Sequence, residues 1–254
     1  KEDAMALDAQ KKDVGVTDIC IVVPRLSRIA NFDDLDPLSA EPDVTMMIVE
    51  AGDPLPCSAD LILIPGTKAT MADLEYLRAQ GWDIDIAAHV RRGGLVVGLC
   101  GGYQMLGKHI SDPNGIEGTI GKSVGLGLLD VETILSDNKN LATVSGIDLG
   151  SGERIYGYEM HLGLSEGPDR ANPWVRLDDK RTEGALSPDG RVMGSYLHGI
   201  FAADGFRQAF LAGLRSGRFS TTAYDMRVEK TLDDLAEHLE EYMDLDALYA
   251  TSLR

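Results

Sequence analysis

The sequence predicts an α/β fold built on a mainly parallel sheet that is flanked by helices. Four short apolar runs are typical of buried parallel strands: residues 19–23, 45–49, 61–65 and 95–99. Between the last two runs, apolar residues recur at helical spacing, and Gly81 and Gly93 suit helix ends. Strands that alternate with helices indicate a doubly wound sheet, whose ligands bind beyond the carboxyl ends of the strands. The turns at residues 65–68 and 99–102 fall at those ends and are therefore the first candidates for a site.

The second half of the chain has a different pattern. From about residue 125 the apolar segments are shorter and alternate with polar residues, which is typical of antiparallel strands added to the fold. Residues 187–190, with the sequence SPDG, predict a hairpin turn. Two closing helices are expected at residues 205–217 and 232–248. Apolar residues on one face of the last helix predict packing: Leu235, Leu239, Tyr242 and Met243.

The composition is that of a folded protein with an acidic surface. Of the 254 residues, 44% are hydrophobic and 26% are charged, near the averages for globular domains. Lys plus Arg number 24 and Asp plus Glu number 41, and the net charge of −17 disfavours nucleic acid and anionic membranes as partners. No membrane-spanning run or signal peptide is evident, so a cytoplasmic location is expected. Cys20, Cys57 and Cys100 form no CxxC pair, so neither a disulfide framework nor a metal site is expected.

The segment LVVGLCGGYQMLGKH admits two interpretations. Gly102 to Lys108 has almost the spacing of a phosphate-binding loop, but His109 replaces the final Ser or Thr and the intervening residues are bulky. The alternative is a nucleophile elbow, in which a strand delivers Cys100 to a sharp glycine-rich turn and a helix follows at once. The elbow fits every position, so the sequence predicts a cysteine nucleophile.

The elbow also predicts the groups around the nucleophile. Backbone N–H groups and the helix dipole stabilise a thiolate at this position. The N–H of Gly101 points to where an oxyanion forms, and Gly66 in the neighbouring turn is the candidate second donor. A cysteine nucleophile needs a base, and five histidines are available: His89, His109, His161, His198 and His238. The best candidate is His198, which follows a predicted strand and precedes a glycine, and His161 is the next.

Several blocks of the sequence resemble those of one enzyme family. GLCGGYQMLG, GYEMHLG and GSYLHGIF resemble three blocks of the glutamine amidotransferase domain of the cobyric acid synthases. Residues 23–38 and 59–78 resemble further blocks of the family. The resemblance implies a class I, flavodoxin-like glutaminase fold over residues 15–215. It also implies that residues 1–14, which begin with Lys1 rather than Met, are a linker from a missing upstream synthetase domain, and that residues 216–254 are a helical extension.

The resemblance implies a function as well. In that family the glutaminase domain releases ammonia from glutamine. An upstream ATP-dependent synthetase domain uses the ammonia to amidate the b, d, e and g carboxylates of adenosylcobyrinic acid a,c-diamide. The implied partners are therefore glutamine and the synthetase domain of the same polypeptide, which binds most of the corrinoid substrate. No cofactor is expected within this part of the chain, and ATP and Mg²⁺ are expected in the synthetase domain.

Carried over by position, the resemblance makes Cys100 the nucleophile and His198 its general base. Gln104 matches a position that contacts the substrate glutamine in related glutaminases. Glu159 and His161 belong to a block that borders the same pocket. The implied site therefore combines one nucleophile, one base and three residues of the pocket wall.

The group that orients His198 is left open by the sequence. Many class I glutaminases have a carboxylate two residues after the histidine, whereas this chain has Ile200. Glu159 is the one substitute that the resemblance suggests. An acidic run consists of Asp33, Asp34 and Asp36. These carboxylates suggest a metal site, but no further ligands follow at suitable spacing, so a solvated loop is favoured.

Two other hypotheses stay open at this point. One is a stand-alone cysteine hydrolase or protease of the same fold, which predicts activity on esters or peptides. The other is a non-catalytic interaction domain that keeps the elbow as a relic of the fold. This last hypothesis predicts that Cys100 is unreactive.

Overall fold

The computed structural model describes residues 19–118, 120–137, 140–218 and 223–252. The linker predicted at residues 1–14 lies outside this described part. The chain forms two compact units, one that ends at Ser220 and one that begins at Thr221. All the candidate site residues belong to the larger unit.

Strands and helices alternate early in the chain and give way to short strands later. The strands are β1 (Ile19–Pro24), β2 (Ile29–Ala30), β3 (Val44–Val49), β4 (Leu61–Ile64), β5 (Gly66–Thr67), β6 (Leu95–Leu99), β7 (His109–Asp112), β8 (Gly121–Val124), β9 (Glu132–Ile134), β10 (Asn140–Asp148), β11 (Arg154–His161), β12 (Leu164–Glu166), β13 (Val175–Leu177), β14 (Thr182–Glu183), β15 (Ala185–Leu186), β16 (Val192–Ser195) and β17 (Leu197–His198). The α-helices are α1 (Asp36–Ser39), α2 (Thr70–Ala79), α3 (Trp82–Arg91), α4 (Gly101–Leu106), α5 (Asp204–Leu214), α6 (Tyr224–Tyr242) and α7 (Leu245–Ser252). Short 3₁₀ helices lie at Phe32–Leu35, Pro168–Ala171 and Ile200–Ala202.

The central sheet of the larger unit is mainly parallel, as predicted. Its described strands run in the order β15-β16-β6-β4-β1-β3, and only the pair β15–β16 is antiparallel. Side chains of the inner strands are almost fully buried, as expected for a parallel sheet covered on both faces: Ile21 and Val97 are 0% exposed and Ile62 is 1% exposed. The four apolar runs of the sequence are β1, β3, β4 and β6, so the predicted α/β architecture is confirmed.

Helices α2 and α3 carry the chain from β5 to β6, and each ends near a predicted glycine. Gly81 and Gly93 have φ values of 76° and 87°, a left-handed conformation that favours glycine. Trp82 at the start of α3 is completely buried, and its Nε1 donates a hydrogen bond to the Asp53 carbonyl at 2.8 Å. This crossover returns the chain so that β6 pairs in parallel with β4, and their carboxyl ends lie side by side.

The second half of the chain adds antiparallel strands, as predicted. A five-stranded antiparallel sheet runs in the order β14-β13-β10-β11-β17, and a mixed four-stranded sheet runs in the order β12-β9-β7-β8. The SPDG segment turns the chain from β15 into β16, where the Gly190 N–H donates to the Ser187 carbonyl at 2.9 Å. In the five-stranded sheet, His198 on β17 lies opposite Tyr158 on β11.

The closing helices differ from the prediction in their bounds. The helix expected at 205–217 is α5, and the helix expected at 232–248 is two helices, α6 and α7. The side chains of the predicted apolar stripe are exposed by 38% or more: Leu235, Leu239, Tyr242 and Met243. Within the described ranges, no helix is both long enough and apolar enough to cross a membrane.

A substitution at Gly102 tests the close approach of α4 to the central sheet. A Cβ at Gly102 would lie 2.1 Å from the Ile64 carbonyl oxygen and 2.9 Å from that of Pro65. Because backbone cannot yield easily at either contact, we expect Gly102→Ala to lower the free energy of unfolding by about 1–3 kcal/mol. Urea denaturation measures this loss.

The matched control is Gly213→Ala in α5. A Cβ at Gly213 meets nothing within 4 Å, and alanine is the better helix former, so we expect no loss of stability there. If Gly102→Ala unfolded at the wild-type urea concentration, the close packing of α4 against β4 would be wrong.

Candidate active site

Cys100 occupies a sharp turn between β6 and α4. Its backbone has φ 50° and ψ −108°, a rare conformation for a residue with a Cβ. The Cys100 N–H donates to the Ser195 carbonyl at 2.8 Å and so ties the turn to the end of β16. Glycines make the turn possible, since a Cβ at Gly98 would lie 2.6 Å from the Gly102 carbonyl oxygen. The turn has the form of the predicted nucleophile elbow, and residues 101–106 are a helix rather than a phosphate-binding loop.

Cys100 borders a cavity of about 300 Å³ at the carboxyl ends of the parallel strands. The wall includes Gly101, Gln104 and His161, three of the residues that the sequence predicts for the site. The cavity has room for a molecule of amino-acid size. Its remaining wall residues are Ala30, Asn31, Thr67, Lys68, Thr70, Ile116, Glu117, Met160 and Leu162.

His198 is buried near Cys100 and is held by a carboxylate. Its Nδ1 lies 2.7 Å from Oδ2 of Asp34, and both side chains are at most 3% exposed. The other oxygen of the Asp34 carboxylate accepts the Gly199 N–H at 2.6 Å. Tyr158 stacks on the imidazole, with ring centroids 5.2 Å apart and planes inclined by 24°. Asp34 therefore fixes one edge of the His198 ring, and Tyr158 covers one face.

The group that orients His198 is Asp34, and the suggestion that Glu159 does so is wrong. Successive side chains of a strand point to opposite faces, so Glu159 points away when its neighbour Tyr158 covers His198. The buried Glu159 carboxylate instead pairs with Arg181 at 3.2 Å. Glu159 does not line the cavity, so its predicted place at the border of the pocket receives no support from the cavity wall.

The interpretation of the acidic run as a solvated loop is also wrong for Asp34. The 3₁₀ helix Phe32–Leu35 buries Asp34 and Leu35 while Asp33 stays exposed. Asn31 precedes this helix in a left-handed conformation, with φ 54°, and its Nδ2 donates to the Tyr158 hydroxyl at 2.7 Å. The sequence signal that could have shown this is the pair Phe32 and Leu35, which bracket Asp33 and Asp34. A tight turn between two apolar residues that pack on the core directs one of the acidic side chains inward.

The electrostatics of the pair favour a charged imidazole. Burial lowers the pKa of His198, but the hydrogen bond with Asp34 and the interaction with Cys100 outweigh it and raise the pKa to about 10. His198 Nε2 is buried, and its interaction with the Cys100 side chain contributes to the raised pKa of His198 both as a hydrogen-bond partner and as a charge. Burial raises the pKa of Asp34, and the contact with His198 opposes that rise. The arrangement can therefore hold a proton on His198 beside the Cys100 side chain and deliver it to a leaving group.

Gln104 and His161 line the cavity, and contacts with other side chains and with backbone of the protein hold them in place. Gln104 accepts a hydrogen bond from the Thr70 hydroxyl at 3.0 Å and donates one to the Leu162 carbonyl at 3.0 Å. His161 stacks on Tyr196 with ring centroids 3.8 Å apart, and burial lowers its pKa. Both residues are positioned to shape the cavity, and direct contact of Gln104 with a substrate stays a prediction.

Gly66 and Gly101 bring backbone close to the nucleophile. A Cβ at Gly66 would lie 3.3 Å from His198 Cε1 and 3.7 Å from Cys100 Cβ. A Cβ at Gly101 would lie 3.2 Å from the Thr67 backbone nitrogen. The backbone of β5 and the start of α4 thus meet beside Cys100, and a larger residue at either glycine would intrude. The role of these glycines as oxyanion donors stays a prediction.

Two wall residues of opposite charge were not predicted from the sequence. Lys68 and Glu117 both line the cavity. The Glu117 carboxylate accepts the backbone N–H groups of Thr70 and Met71, each at 2.8 Å, and so caps α2. The buried Asp112 carboxylate accepts the Glu117 N–H at 2.9 Å and fixes the loop that carries this side chain. The loop contacts depend on the fold, so no motif in the sequence marks them.

The other histidines and cysteines of the described residues lie outside the cavity wall. His89 is buried, and its Nε2 lies 3.0 Å from the Leu95 carbonyl oxygen, which is a structural contact. Cys20 is buried and Cys57 is exposed. Among the residues described, no group of three His, Cys, Asp or Glu side chains is placed to hold a metal ion.

The sequence matches both a known domain family and longer relatives. Residues 20–206 match the model of the CobB/CobQ-like glutamine amidotransferase domain. The chain is 53% identical to a cobyric acid synthase of Cereibacter sphaeroides and 57% identical to one of Ruegeria sp. (strain TM1040), over 98% and 90% of its length. These matches cover 51% and 47% of the two relatives, so the chain spans about half the length of the curated relatives it matches.

Solved structures share the fold. PurLQS from Thermotoga maritima matches with a TM-score of 0.56 and 21% identity, over 78% of this chain and 100% of that chain. A crystal structure of a glutamine amidotransferase matches with a TM-score of 0.54 and 15% identity, over 77% and 98% of the two chains. These likenesses confirm the predicted fold. Since the domain model covers residues 20–206, and since relatives of 53% and 57% identity extend over nearly the whole sequence, the chain belongs to the CobB/CobQ-like glutamine amidotransferase family.

Proposed function

We propose that this chain is the ammonia-releasing part of a cobyric acid synthase and that Cys100 hydrolyses glutamine with the help of His198. The observation that carries the proposal is the buried contact of Asp34 with His198 at 2.7 Å, next to the strained elbow of Cys100. A nucleophile, a base and an orienting carboxylate in contact form the set that acyl transfer requires. Membership in the glutamine amidotransferase family supplies the reaction class.

The proposed mechanism proceeds through a thioester. The Cys100 thiolate attacks the side-chain carboxamide carbon of glutamine, and a C–S bond forms while the carbonyl oxygen takes the negative charge. Backbone N–H groups at Gly66 and Gly101 stabilise this oxyanion. His198 donates its proton to the nitrogen, the C–N bond breaks and ammonia leaves. His198 then takes a proton from water, and the water oxygen attacks the thioester carbon. The C–S bond breaks, which releases glutamate and restores the Cys100 thiolate.

The charged wall residues suit the other end of glutamine. An α-amino acid carries an ammonium and a carboxylate on one carbon, and Glu117 and Lys68 offer the complementary charges in the same cavity. Two oxygens of the Glu117 carboxylate each accept one backbone N–H, and each keeps a lone pair for the ammonium. Glutamine is therefore the proposed substrate, bound by its headgroup as well as by its carboxamide.

The half-length match to the curated cobyric acid synthases supports a further domain as the partner of this chain. We place an ATP-dependent synthetase domain upstream in the same polypeptide, where ATP, Mg²⁺ and most of the corrinoid substrate bind. There the ammonia amidates the b, d, e and g carboxylates of adenosylcobyrinic acid a,c-diamide. The family assignment disfavours a stand-alone hydrolase, and the intact Asp34–His198 contact disfavours a non-catalytic relic. A location in the cytoplasm stays a prediction.

Selective labelling tests the nucleophile. We expect a chloroketone analogue of glutamine to alkylate Cys100 in preference to Cys20 and Cys57, because only Cys100 borders the cavity. Cys100→Ala should abolish labelling and lower glutamate release by at least about 10³-fold. Mass spectrometry of tryptic peptides locates the label, and Cys57→Ser is the control that should label normally. Labelling that is distributed equally over the three cysteines would refute the assignment.

Replacement of Asp34 tests the orienting carboxylate. We expect Asp34→Asn to lower kcat by about 10²- to 10⁴-fold, because the imidazole loses its oriented proton acceptor. Loss of the carboxylate should also return the His198 pKa from about 10 toward the ordinary 6.5, so the alkaline limb of kcat/KM should move to lower pH. The exposed neighbour provides the control, and Asp33→Asn should keep the wild-type pH profile. An unchanged profile in Asp34→Asn would show that Asp34 does not act on His198.

Replacement of Glu117 tests the proposed headgroup site. Glu117→Gln keeps the shape of the side chain but removes the charge, so we expect KM for glutamine to rise about tenfold or more while kcat changes little. Steady-state kinetics of glutamate release measure both constants. Glu75→Gln is the control, because Glu75 is an exposed residue of α2 outside the cavity wall. A KM within twofold of wild type for Glu117→Gln would count against the headgroup site.

A further inference from the structure

The carboxylate and the histidine of the site come from distant parts of the chain. Asp34 and His198 are 164 positions apart, and neither belongs to the central parallel sheet. Asp34 lies in one 3₁₀ helix, Phe32–Leu35, and His198 lies just before another, Ile200–Ala202. A hydrogen bond of 2.7 Å between them requires that these two segments be held at a fixed separation.

One buried guanidinium contacts the second of these helices and also Glu41, which lies six positions after the first helix ends at Leu35. Arg207 on α5 is completely buried, and its Nε donates to Oε1 of Glu41 at 2.7 Å. Its Nη1 donates to the carbonyl of Phe201 at 2.9 Å and to that of Ala202 at 3.1 Å. Its Nη2 donates to Asp204 at 2.6 Å. Arg207 thus joins Glu41 to the 3₁₀ helix that follows His198.

Glu41 is the residue through which Arg207 contacts the chain segment that carries Asp34. The 3₁₀ helix that carries Asp34 runs directly into α1, and Glu41 follows two residues after α1 ends at Ser39. Glu41 is 0% exposed, and its backbone N–H donates to the Leu38 carbonyl at 3.2 Å. The segment from Asp34 to Glu41 is therefore a short, hydrogen-bonded unit. A side chain that binds the Glu41 carboxylate fixes the position of this whole segment.

We propose that Arg207 is a positioning residue for the proposed glutaminase reaction: by holding Glu41 and the carbonyls of the Ile200–Ala202 helix on one guanidinium, it sets the separation of Asp34 and His198. The proposal rests on the function proposed above. The planar fork of arginine suits this task, because its donors point in fixed directions toward partners on two sides.

The burial of charge supports a geometric role. A buried ion pair gains little over a well-packed apolar group of the same size, because each ion loses its hydration. Such a pair does, however, impose a single arrangement on the groups that satisfy it. The Arg207 contacts are directed and connect the two segments whose relative position decides whether the Asp34–His198 hydrogen bond forms.

A second arginine in the same cluster offers a matched control. Arg218 has a side chain that is 2% exposed, and it pairs with Glu41 at 2.5 Å and with Asp43 at 2.7 Å. In the described contacts Arg218 donates to Glu41, Asp43 and Gln208, and none of these belongs to the Ile200–Ala202 helix. Removal of Arg218 removes its ion pairs with Glu41 and Asp43 from the buried cluster but leaves the link from Glu41 to the His198 segment in place.

The test compares Arg207→Gln, Arg207→Lys and Arg218→Gln in the full chain. Thermal melting midpoints measure how much stability each variant loses. Steady-state rates of glutamate release give kcat and KM at each pH. We expect Arg207→Gln to lower kcat by about 10²-fold, the loss typical of a displacement of catalytic groups by about 1 Å, with KM nearly unchanged. The alkaline limb of its pH profile should shift to lower pH, the direction expected for Asp34→Asn, whereas Arg218→Gln should keep the wild-type profile at a similar melting midpoint.

Further outcomes separate the two proposals. If Asp34→Asn changes neither kcat nor the pH profile, the proposed function of the pair fails. If Asp34→Asn lowers kcat but Arg207→Gln does not, or if Arg218→Gln matches Arg207→Gln in every measurement, the positioning role of Arg207 is overturned. If Arg207→Gln fails to fold, Arg207→Lys provides the test, because lysine keeps the positive charge but lacks the planar guanidinium. A wild-type kcat and pH profile in Arg207→Lys would then overturn the proposal. In Asp34→Asn, addition of Arg207→Gln should cause little further loss of kcat, because both changes remove the same hydrogen bond.

Discussion

The buried hydrogen bond between Asp34 and His198 is the interaction on which the site depends. A histidine that is excluded from water loses the stabilisation of its charged form, and the Asp34 carboxylate at 2.7 Å restores it. The same contact leaves Nε2 as the only ring nitrogen that can exchange a proton with a substrate. Without Asp34, the buried imidazole would lose the partner that stabilises its charged form and fixes its Nδ1, and it would be poorly placed to serve Cys100.

The parallel sheet explains why these groups meet where they do. Strands β4 and β6 end side by side, so the turn at Gly66 and the elbow at Cys100 face the same cavity. The antiparallel strand β17 then brings His198 against β11, where Tyr158 covers the ring. The two halves of the chain therefore contribute different parts of the site: the first supplies the nucleophile and the carboxylate, and the second supplies the base.

The sequence predicts the parts of this molecule that depend on local pattern. Four apolar runs predict the parallel strands, and the glycines around Cys100 predict the elbow, because both signals lie within a few residues of the structure they specify. The partner of His198 was missed because the contact joins positions 164 residues apart, and no periodicity carries information over that distance. The acidic composition of residues 33–36 suggested solvent, whereas packing of Phe32–Leu35 buries Asp34. Glu159 was the wrong candidate because strand alternation, which depends on the register of β11 with β17, turns it away from the ring.

The most direct test of the central claim is an NMR titration of the His198 ring nitrogens in the full chain, with Asp34→Asn as the reference for assignment. We expect the His198 ring to stay protonated at both nitrogens well above the ordinary pKa of 6.5 and to titrate near a pKa of about 10. We also expect the Nδ1 proton to be protected from exchange, because the Asp34 carboxylate holds it in a buried hydrogen bond. A His198 ring that titrates near its ordinary pKa, with the same Nδ1 signal in Asp34→Asn, would show that Asp34 does not hold the charged form of His198.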